Sequence, residues 1–222
     1  MVHIGIIPDG NRRWCAREGK NHRFLLEEWL GQLAVMARDL PDAKATQWKY
    51  LRDVNELTLY VCSIDNVRRD DVTMLTILQF LEESIPTLLD WANDLSTEAL
   101  RVNVIGDISL LGQRMEDKLK RVRAIYTDAN AAFTLNLAIA YDYEEDAKNH
   151  GGFADPNYDT RGMSQIDVIL RTGGDKRTSG FFPTKSYYAE LFFLKKFWPE
   201  LTLDDVNRVV RKFHNRTRRF GK

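Results

Sequence analysis

Two short stretches of this chain place carboxylates, guanidinium groups and glycines where a phosphate could be held. The first is Ile6-Ile7-Pro8-Asp9-Gly10-Asn11-Arg12-Arg13-Trp14. An apolar run over Ile4–Ile7 reads as a buried strand that stops in Pro, Asp and Gly and gives way to two arginines. A strand ending in such a turn before a helix gathers backbone N–H groups and cationic side chains about one point, which suits an anion. Asp9 repels an anion unless a divalent cation stands between them. An ordinary strand-to-helix turn with solvated arginines would use the same residues, and the turn alone leaves both readings open. The second stretch is Arg171-Thr172-Gly173-Gly174-Asp175-Lys176-Arg177-Thr178-Ser179. Its glycines permit close backbone approach, its guanidinium groups can grip phosphate oxygens in pairs, and its hydroxyls add donors. Arg68 and Arg69 make a third cationic cluster. Together the three could neutralise more charge than one phosphate carries, so the pattern points to one diphosphate or two.

Two carboxylates need separate weighing. Arginines around Asp9 should keep it ionised and weakly basic, so metal ligation suits it better than general-base work. Glu190 lies in the aromatic stretch Tyr187–Phe193, where a carboxylate is costly unless paired. It could pair with a nearby arginine or supply a second oxygen ligand to the Mg²⁺ that Asp9 invites. Spacing leaves both open. Other chemistries find no support: the four histidines lack metal-ligand spacing, Cys15 and Cys62 form no CxxC, and neither GxSxG nor a Walker A element occurs.

Positioning these groups requires strands that end together. Apolar runs predict strands at Ile4–Ile7, Glu56–Cys62, Arg101–Ile105, Phe133–Ala140 and Ile166–Leu170, with a short one at Leu201–Leu203. Helical periodicity marks 23–40, 72–91 with Pro86 as a kink, 110–128, 184–195 and a C-terminal helix from Asp204 to about Thr217. Residues 142–165 read as the most loop-like segment. Alternating strands and helices imply an α/β fold, a single domain over 1–222 with a mostly parallel sheet of about six strands flanked by helices. Ligands in such sheets sit beyond the carboxyl ends of the strands. Asp9, Ser63–Asn66 and Arg171–Ser179 all fall there. The apolar helix at 72–91 is explained by plain core or by a cavity for an apolar ligand.

Composition narrows the classes. The chain has 222 residues, 44% hydrophobic and 29% charged, which is ordinary for a soluble globular protein. Its 32 basic and 32 acidic residues cancel, so no global charge favours nucleic acid. Two cysteines are too few for a disulfide framework, and a reducing cytoplasmic setting is the expectation. No run is long and apolar enough for a transmembrane segment, and the N-terminus has neither signal-peptide nor transit-peptide pattern.

The blocks together resemble the cis-prenyltransferases, the family of undecaprenyl diphosphate synthase. Ile6–Trp14 is similar to the family's first signature, DGNxRW. Leu59-Tyr60 with Ser63, Asn66 and Arg69 resembles the second. Ile105-Gly106-Asp107 and Thr134-Leu135-Asn136 through Tyr141 resemble two middle blocks. Arg171–Ser179 and Tyr188-Ala189-Glu190-Leu191 with Trp198-Pro199 resemble the isopentenyl diphosphate signature, and Arg216-x-Arg218-Arg219-Phe220-Gly221 the closing element at the dimer interface. The blocks run in family order from residue 3 to 221.

The resemblance implies an apolar tunnel enclosed by the helices at 23–40 and 72–91, and roles for individual residues. Asp9 would ligate Mg²⁺, with Glu190 the second acidic residue. Gly10, Asn11, Arg12, Arg13, Trp14 and His22 would surround the allylic diphosphate, and Arg69 would be a second clamp. Asn66 would stand near the reacting centre beside Ser63. Arg171, Arg177 and Ser179 would hold the homoallylic diphosphate, with Arg219 and Gly221 reaching across a homodimer. The implied reaction is Mg²⁺-dependent condensation of an allylic diphosphate with isopentenyl diphosphate to a short Z-prenyl diphosphate.

The chain also departs from the family pattern. Arg12 replaces a Gly, His22 an Arg, Val67 a Trp and Asp142-Tyr143 a Gly-Gly, and the 142–165 segment is shorter. These changes surround the reacting ends. They keep open irregular head-to-middle coupling of two allylic diphosphates, such as dimethylallyl diphosphate, or prenyl transfer to another acceptor. A non-catalytic regulatory subunit typically loses the first Asp or the Arg-Thr-Gly-Gly block, and this chain keeps both.

Overall fold

A computed structural model describes residues 1–20, 48–68, 74–75, 77–83, 85–86, 100–125, 131, 133–149 and 162–217 of the chain. Six strands, β1 (Val2–Ile7), β2 (Val54–Tyr60), β3 (Leu100–Ile105), β4 (Phe133–Ala138), β5 (Val168–Arg171) and β6 (Glu190–Phe193), form one sheet. Their order is β3-β4-β2-β1-β5-β6, and every pairing is parallel. The described helices are α1 (Asn11–Glu18), α2 (Ile64–Arg68), α3 (Gln113–Ile125), α4 (Tyr143–Asn149) and α5 (Leu203–His214). Every described position between 74 and 86 is helical too. The sequence-predicted helix at 23–40 and residues 87–91 lie outside the described residues. Among those described, no helix is long and apolar enough to cross a membrane.

A parallel sheet covered on both faces explains the near-continuous apolar runs. On one face Ile4, Ile6, Leu57, Leu59, Leu135 and Leu170 pack against Met115, Leu119 and Val122 of α3 and Val206, Val209, Val210 and Phe213 of α5. Phe80, Leu81 and Ile85 join that cluster. On the other face Ile7, Tyr60, Ile105 and Ile169 meet Tyr141, Phe181 and Phe182. That second face also carries a buried polar chain: His3 Nε2 lies 2.7 Å from Thr58 Oγ1, and Asn136 Nδ2 donates to Glu56 Oε1 at 2.7 Å. Asn103 donates to Asn136 Oδ1 at 2.7 Å, so these buried polar groups are satisfied within the protein.

Two expectations about elements are corrected. Residues 184–195 are not helical: Glu190–Phe193 is the edge strand β6, in register with Val168–Arg171. Its aromatic content favours an extended chain, and only Phe192 of the strand is buried, so no long period betrays it. Leu201-Thr202-Leu203 is not a strand but the entry to α5. Thr202 Oγ1 accepts from the Asp205 N–H while Asp205 Oδ2 accepts from the Thr202 N–H, a capping box. Residues 142–165 are also less loop-like than the sequence predicts, since α4 occupies their start.

Asp205 is 4% exposed and also binds Lys196 at 2.7 Å and Arg208. Burial pushes its pKa up, but Lys196 and Thr202 outweigh burial and hold it below the ordinary 3.8. A depressed carboxyl contributes stability above its unfolded pKa and loses it as pH falls through the folded value. Asp205→Asn should therefore cost about 1–2 kcal/mol near neutral pH by denaturant titration. The difference from wild type should vanish once pH falls below both pKa values.

Candidate functional site

All six strands point the same way, so their carboxyl ends share one edge of the sheet. The connection leaving β1 runs toward β2, and the one leaving β5 runs toward β6 on the opposite side. The crevice between β1 and β5 is therefore the topological switch point, where open α/β sheets bind ligands. Asp9 follows β1 and Thr172–Ser179 follows β5, on its two walls.

Local backbone ties the walls together. Thr172 Oγ1 accepts from the Asp9 N–H and donates to the Asp9 carbonyl, both at 2.8 Å, and Trp198 N–H reaches the same carbonyl at 3.0 Å. Gly10 and Gly173 have φ of +95° and +82°. A Cβ at Gly173 would stand 3.0 Å from the Asp9 carbonyl carbon and 3.1 Å from the Gly10 nitrogen, backbone atoms with nowhere to go. Gly173→Ala is thus expected to cost about 1–3 kcal/mol in thermal or denaturant unfolding, and to part the two walls.

A cavity of about 1090 Å³ opens at this edge. Asp9, Gly10, Asn11, Arg12, Arg13, Ser63, Asn66, Arg171, Arg177 and Ser179 all line it. Arg171, only 4% exposed, donates through Nη2 to Asp9 Oδ2 at 2.6 Å. Its Nη1 donates to Ser179 Oγ at 2.9 Å and to the Arg177 carbonyl at 2.6 Å. Asp9 Oδ1 accepts from the Gly10 N–H at 2.6 Å and lies 3.4 Å from Arg13 Nη2. Burial alone would raise the Asp9 pKa, but Arg171, the Gly10 N–H and Arg13 pull it below its ordinary value. The carboxylate is ionised and partly exposed, with lone pairs to spare. Mg²⁺ characteristically takes one or two carboxylates plus substrate phosphates and water, so this carboxylate fits such an ion. Among the described residues no three His, Cys, Asp or Glu side chains converge as a ready-made metal cage.

Other sequence-predicted residues fall elsewhere. Glu190 is in register with Val168, at the amino end of the sheet, whereas Asp9 follows its carboxyl end; it pairs with Arg216. The structure therefore does not bring Glu190 to Asp9 within this chain, and of the two readings of that carboxylate the arginine pair is the one present. Trp14 does not line the cavity; it is buried beside Cys15 with Phe197 packed on both. Among the described residues, the Arg12/Arg13 and Arg171/Arg177 clusters meet here. Arg68, at the end of α2, does not line the cavity, nor does Lys176. His22, Arg69, Arg219 and Gly221 lie outside the described residues.

Asn66 Oδ1 accepts from the Ser63 N–H and hydroxyl, both at 3.0 Å, while Ser63 Oγ accepts from the Asn66 N–H at 3.2 Å. This reciprocal cap starts α2 and leaves the Asn66 amide nitrogen as the group it can offer a ligand. Ser179 is held at φ +53°, a strained backbone that keeps its hydroxyl on Arg171.

Several wall residues have no site role assigned from the sequence. Tyr60, Asp65, Asp142, Tyr143 and Asp175 face the cavity with Ile77 and Phe80. Tyr60, already part of the second signature, ends β2 at the ligand edge of the sheet. Asp142 caps α4, accepting from the Glu144 and Glu145 N–H groups at 2.9 and 3.1 Å. The cavity is consequently cationic on the β1/β5 side and acidic to apolar on the β2/β4 side.

Comparison with known proteins bears on the family and the fold. A family profile described as "Putative undecaprenyl diphosphate synthase" matches residues 7–221. The chain is 30% identical to isoprenyl transferase 1 of Bradyrhizobium diazoefficiens, over 99% of this chain and 89% of that protein. It is 26% identical to a (2Z,6E)-farnesyl diphosphate synthase of Mycolicibacterium smegmatis, over 99% of this chain and 88% of that one. Its fold is similar to the crystal structure of lavandulyl diphosphate synthase from Lavandula x intermedia in complex with dimethylallyl diphosphate. That match has a TM-score of 0.78 at 21% identity and covers 99% of this chain and 98% of that one.

Proposed function

This chain belongs to the prenyltransferase family of undecaprenyl diphosphate synthase, and from that premise we propose that it condenses an allylic prenyl diphosphate with isopentenyl diphosphate into a short Z-prenyl diphosphate. The observation carrying the proposal is the Asp9–Arg171 pair at the switch point, with Arg13 and Arg177 on facing walls. Two cationic clamps on one cavity suit two diphosphates. Asp9 would hold Mg²⁺ there, and the bound ion would neutralise the departing diphosphate. Arg13 and the first-turn N–H groups of α1 bind the allylic diphosphate and favour its charge as it leaves. Arg177, Ser179 and the free edge of Arg171 orient the second diphosphate. The allylic C–O bond breaks, the isopentenyl double bond attacks the cation, and loss of a proton completes the Z alkene. Tyr60, Ile77 and Phe80 give the prenyl chain an apolar wall, and the described part of 74–86 supports the tunnel reading.

A short product suits the compact chain and the farnesyl-length relative. Exposed Tyr187, Tyr188 and Leu191 at the β6 edge offer a homodimer surface. Cys15 and Cys62 are both buried as free thiols. The second reading, irregular coupling of two dimethylallyl diphosphates, is favoured by Arg12, Asp142 and Tyr143 on the cavity wall, where the family pattern has glycines. Purified protein with Mg²⁺ and dimethylallyl, geranyl or farnesyl diphosphate, with and without isopentenyl diphosphate, separates them. The proposal expects a product extended by isopentenyl units only when isopentenyl diphosphate is present; product from dimethylallyl diphosphate alone overturns it.

A further inference from the structure

Between the two arginine clamps stands a carboxylate that the reaction itself does not call for. Asp175 Oδ2 lies 3.3 Å from Arg13 Nη2 and 3.2 Å from Arg177 Nη2, so one oxygen holds a guanidinium from each wall. Its backbone is placed firmly. Gly173 and Gly174 turn the chain with φ of +82° and +83°, and their N–H groups donate to the carbonyls of Lys196 at 2.7 Å and Leu194 at 2.8 Å. The loop that leaves β5 is thereby pinned to the exit of β6, and Asp175 comes back over Arg13. The three side chains are 34% to 61% exposed, and ion pairs this open add little to folding stability. A carboxylate lining an anion site also competes with the ligand for its arginines. Stability does not account for it.

We infer that Asp175 is a positioning residue that apportions the arginines between two diphosphates. Arg13 and Arg177 are long, flexible and mutually repelling only through solvent, which screens them. Without a tether, both could close on a single diphosphate, which would bind tightly and block the second. Asp175 occupies both guanidinium groups at one oxygen that bridges the crevice, so neither closes fully on a diphosphate until a diphosphate on its own side replaces the carboxylate as its partner. Arg12 lines the same cavity and has no ion-pair partner among the described residues, so it adds to the charge that must be shared out.

This inference rests on the proposed function, and the test keeps the two apart. Inorganic diphosphate with Mg²⁺ is titrated by calorimetry into wild type, Asp175→Asn and Asp175→Glu, alongside steady-state kinetics and thermal melts. Wild type should bind two diphosphates per protomer. Asp175→Asn should bind one, about 5-fold or more tighter, because a competing anion is gone. Its KM for the allylic substrate should fall while kcat falls by about 10-fold or more, a split typical of non-productive binding. Melting should be unchanged, and Asp175→Glu should recover the second site. An Asn variant that still binds two diphosphates with normal kinetics overturns the inference and leaves the functional reading standing. So does one that loses affinity, activity and melting temperature together. A wild type that binds no diphosphate overturns both.

Discussion

Asp9→Ala is expected to lower turnover by about 10³-fold, since it would remove the carboxylate proposed to hold Mg²⁺ beside the leaving diphosphate. The loss should appear in kcat and not as unfolding. Asp9 is held through its backbone by Thr172 and Trp198, contacts that survive truncation of the side chain. Its carboxylate does, however, neutralise Arg171, which is buried, so alanine leaves that guanidinium with only Ser179 and the Arg177 carbonyl. Asp9→Asn is the cleaner variant, because it keeps an oxygen for Arg171 and loses the charge. Melting within a few degrees of wild type together with the same collapse in turnover would place the effect in chemistry. Raising Mg²⁺ should rescue Asn partly and Ala hardly at all.

Arg171 carries the second large effect. Its guanidinium reaches Asp9, Ser179 and the Arg177 carbonyl at once, a fork that an ammonium group cannot reproduce. Arg171→Ala and Arg171→Lys should both lower kcat/KM for isopentenyl diphosphate, by about 10²-fold or more. Lysine should rescue charge without rescuing activity. Alanine should also cost about 1–3 kcal/mol of stability, because Asp9 Oδ2 loses its donor. Saturation kinetics for each substrate, with urea unfolding of both variants, would show this pattern. Full rescue by lysine would mean that only net charge matters at that position.

Much of this site was legible because its chemistry is written in contiguous loops. The glycines, carboxylate and arginines of 8–13 and 171–179 follow apolar runs directly, and parallel strands carry such loops to one edge. What stayed hidden depended on pairing between distant segments. Glu190 reads alike as metal ligand or ion-pair partner until the register of β6 with β5 sets it at the opposite end of the sheet from Asp9. The strand itself escaped because four edge residues with one buried side chain carry no usable period. Leu201–Leu203 misled for the opposite reason, since alternation imitates a strand while Thr202 and Asp205 form a helix cap. Asp175 carries no reading of its own within the Arg171–Ser179 motif, and its contact with Arg13 appears only when that residue arrives from another element. Trp14 is part of a signature yet packs beneath the site, so a motif residue can serve by placing its neighbours.

If the Asp9–Arg171 crevice cleaves an allylic diphosphate for attack by isopentenyl diphosphate, diphosphate release needs both substrates and the Asp9 carboxylate. The most direct measurement is continuous release of inorganic diphosphate by purified protein with Mg²⁺, dimethylallyl diphosphate and isopentenyl diphosphate, run beside Asp9→Asn. One diphosphate should be released per carbon–carbon bond formed, only with both substrates present, and at a rate lower by about 10²-fold or more in the variant. Release that proceeds equally well in Asp9→Asn, or without isopentenyl diphosphate, would contradict it.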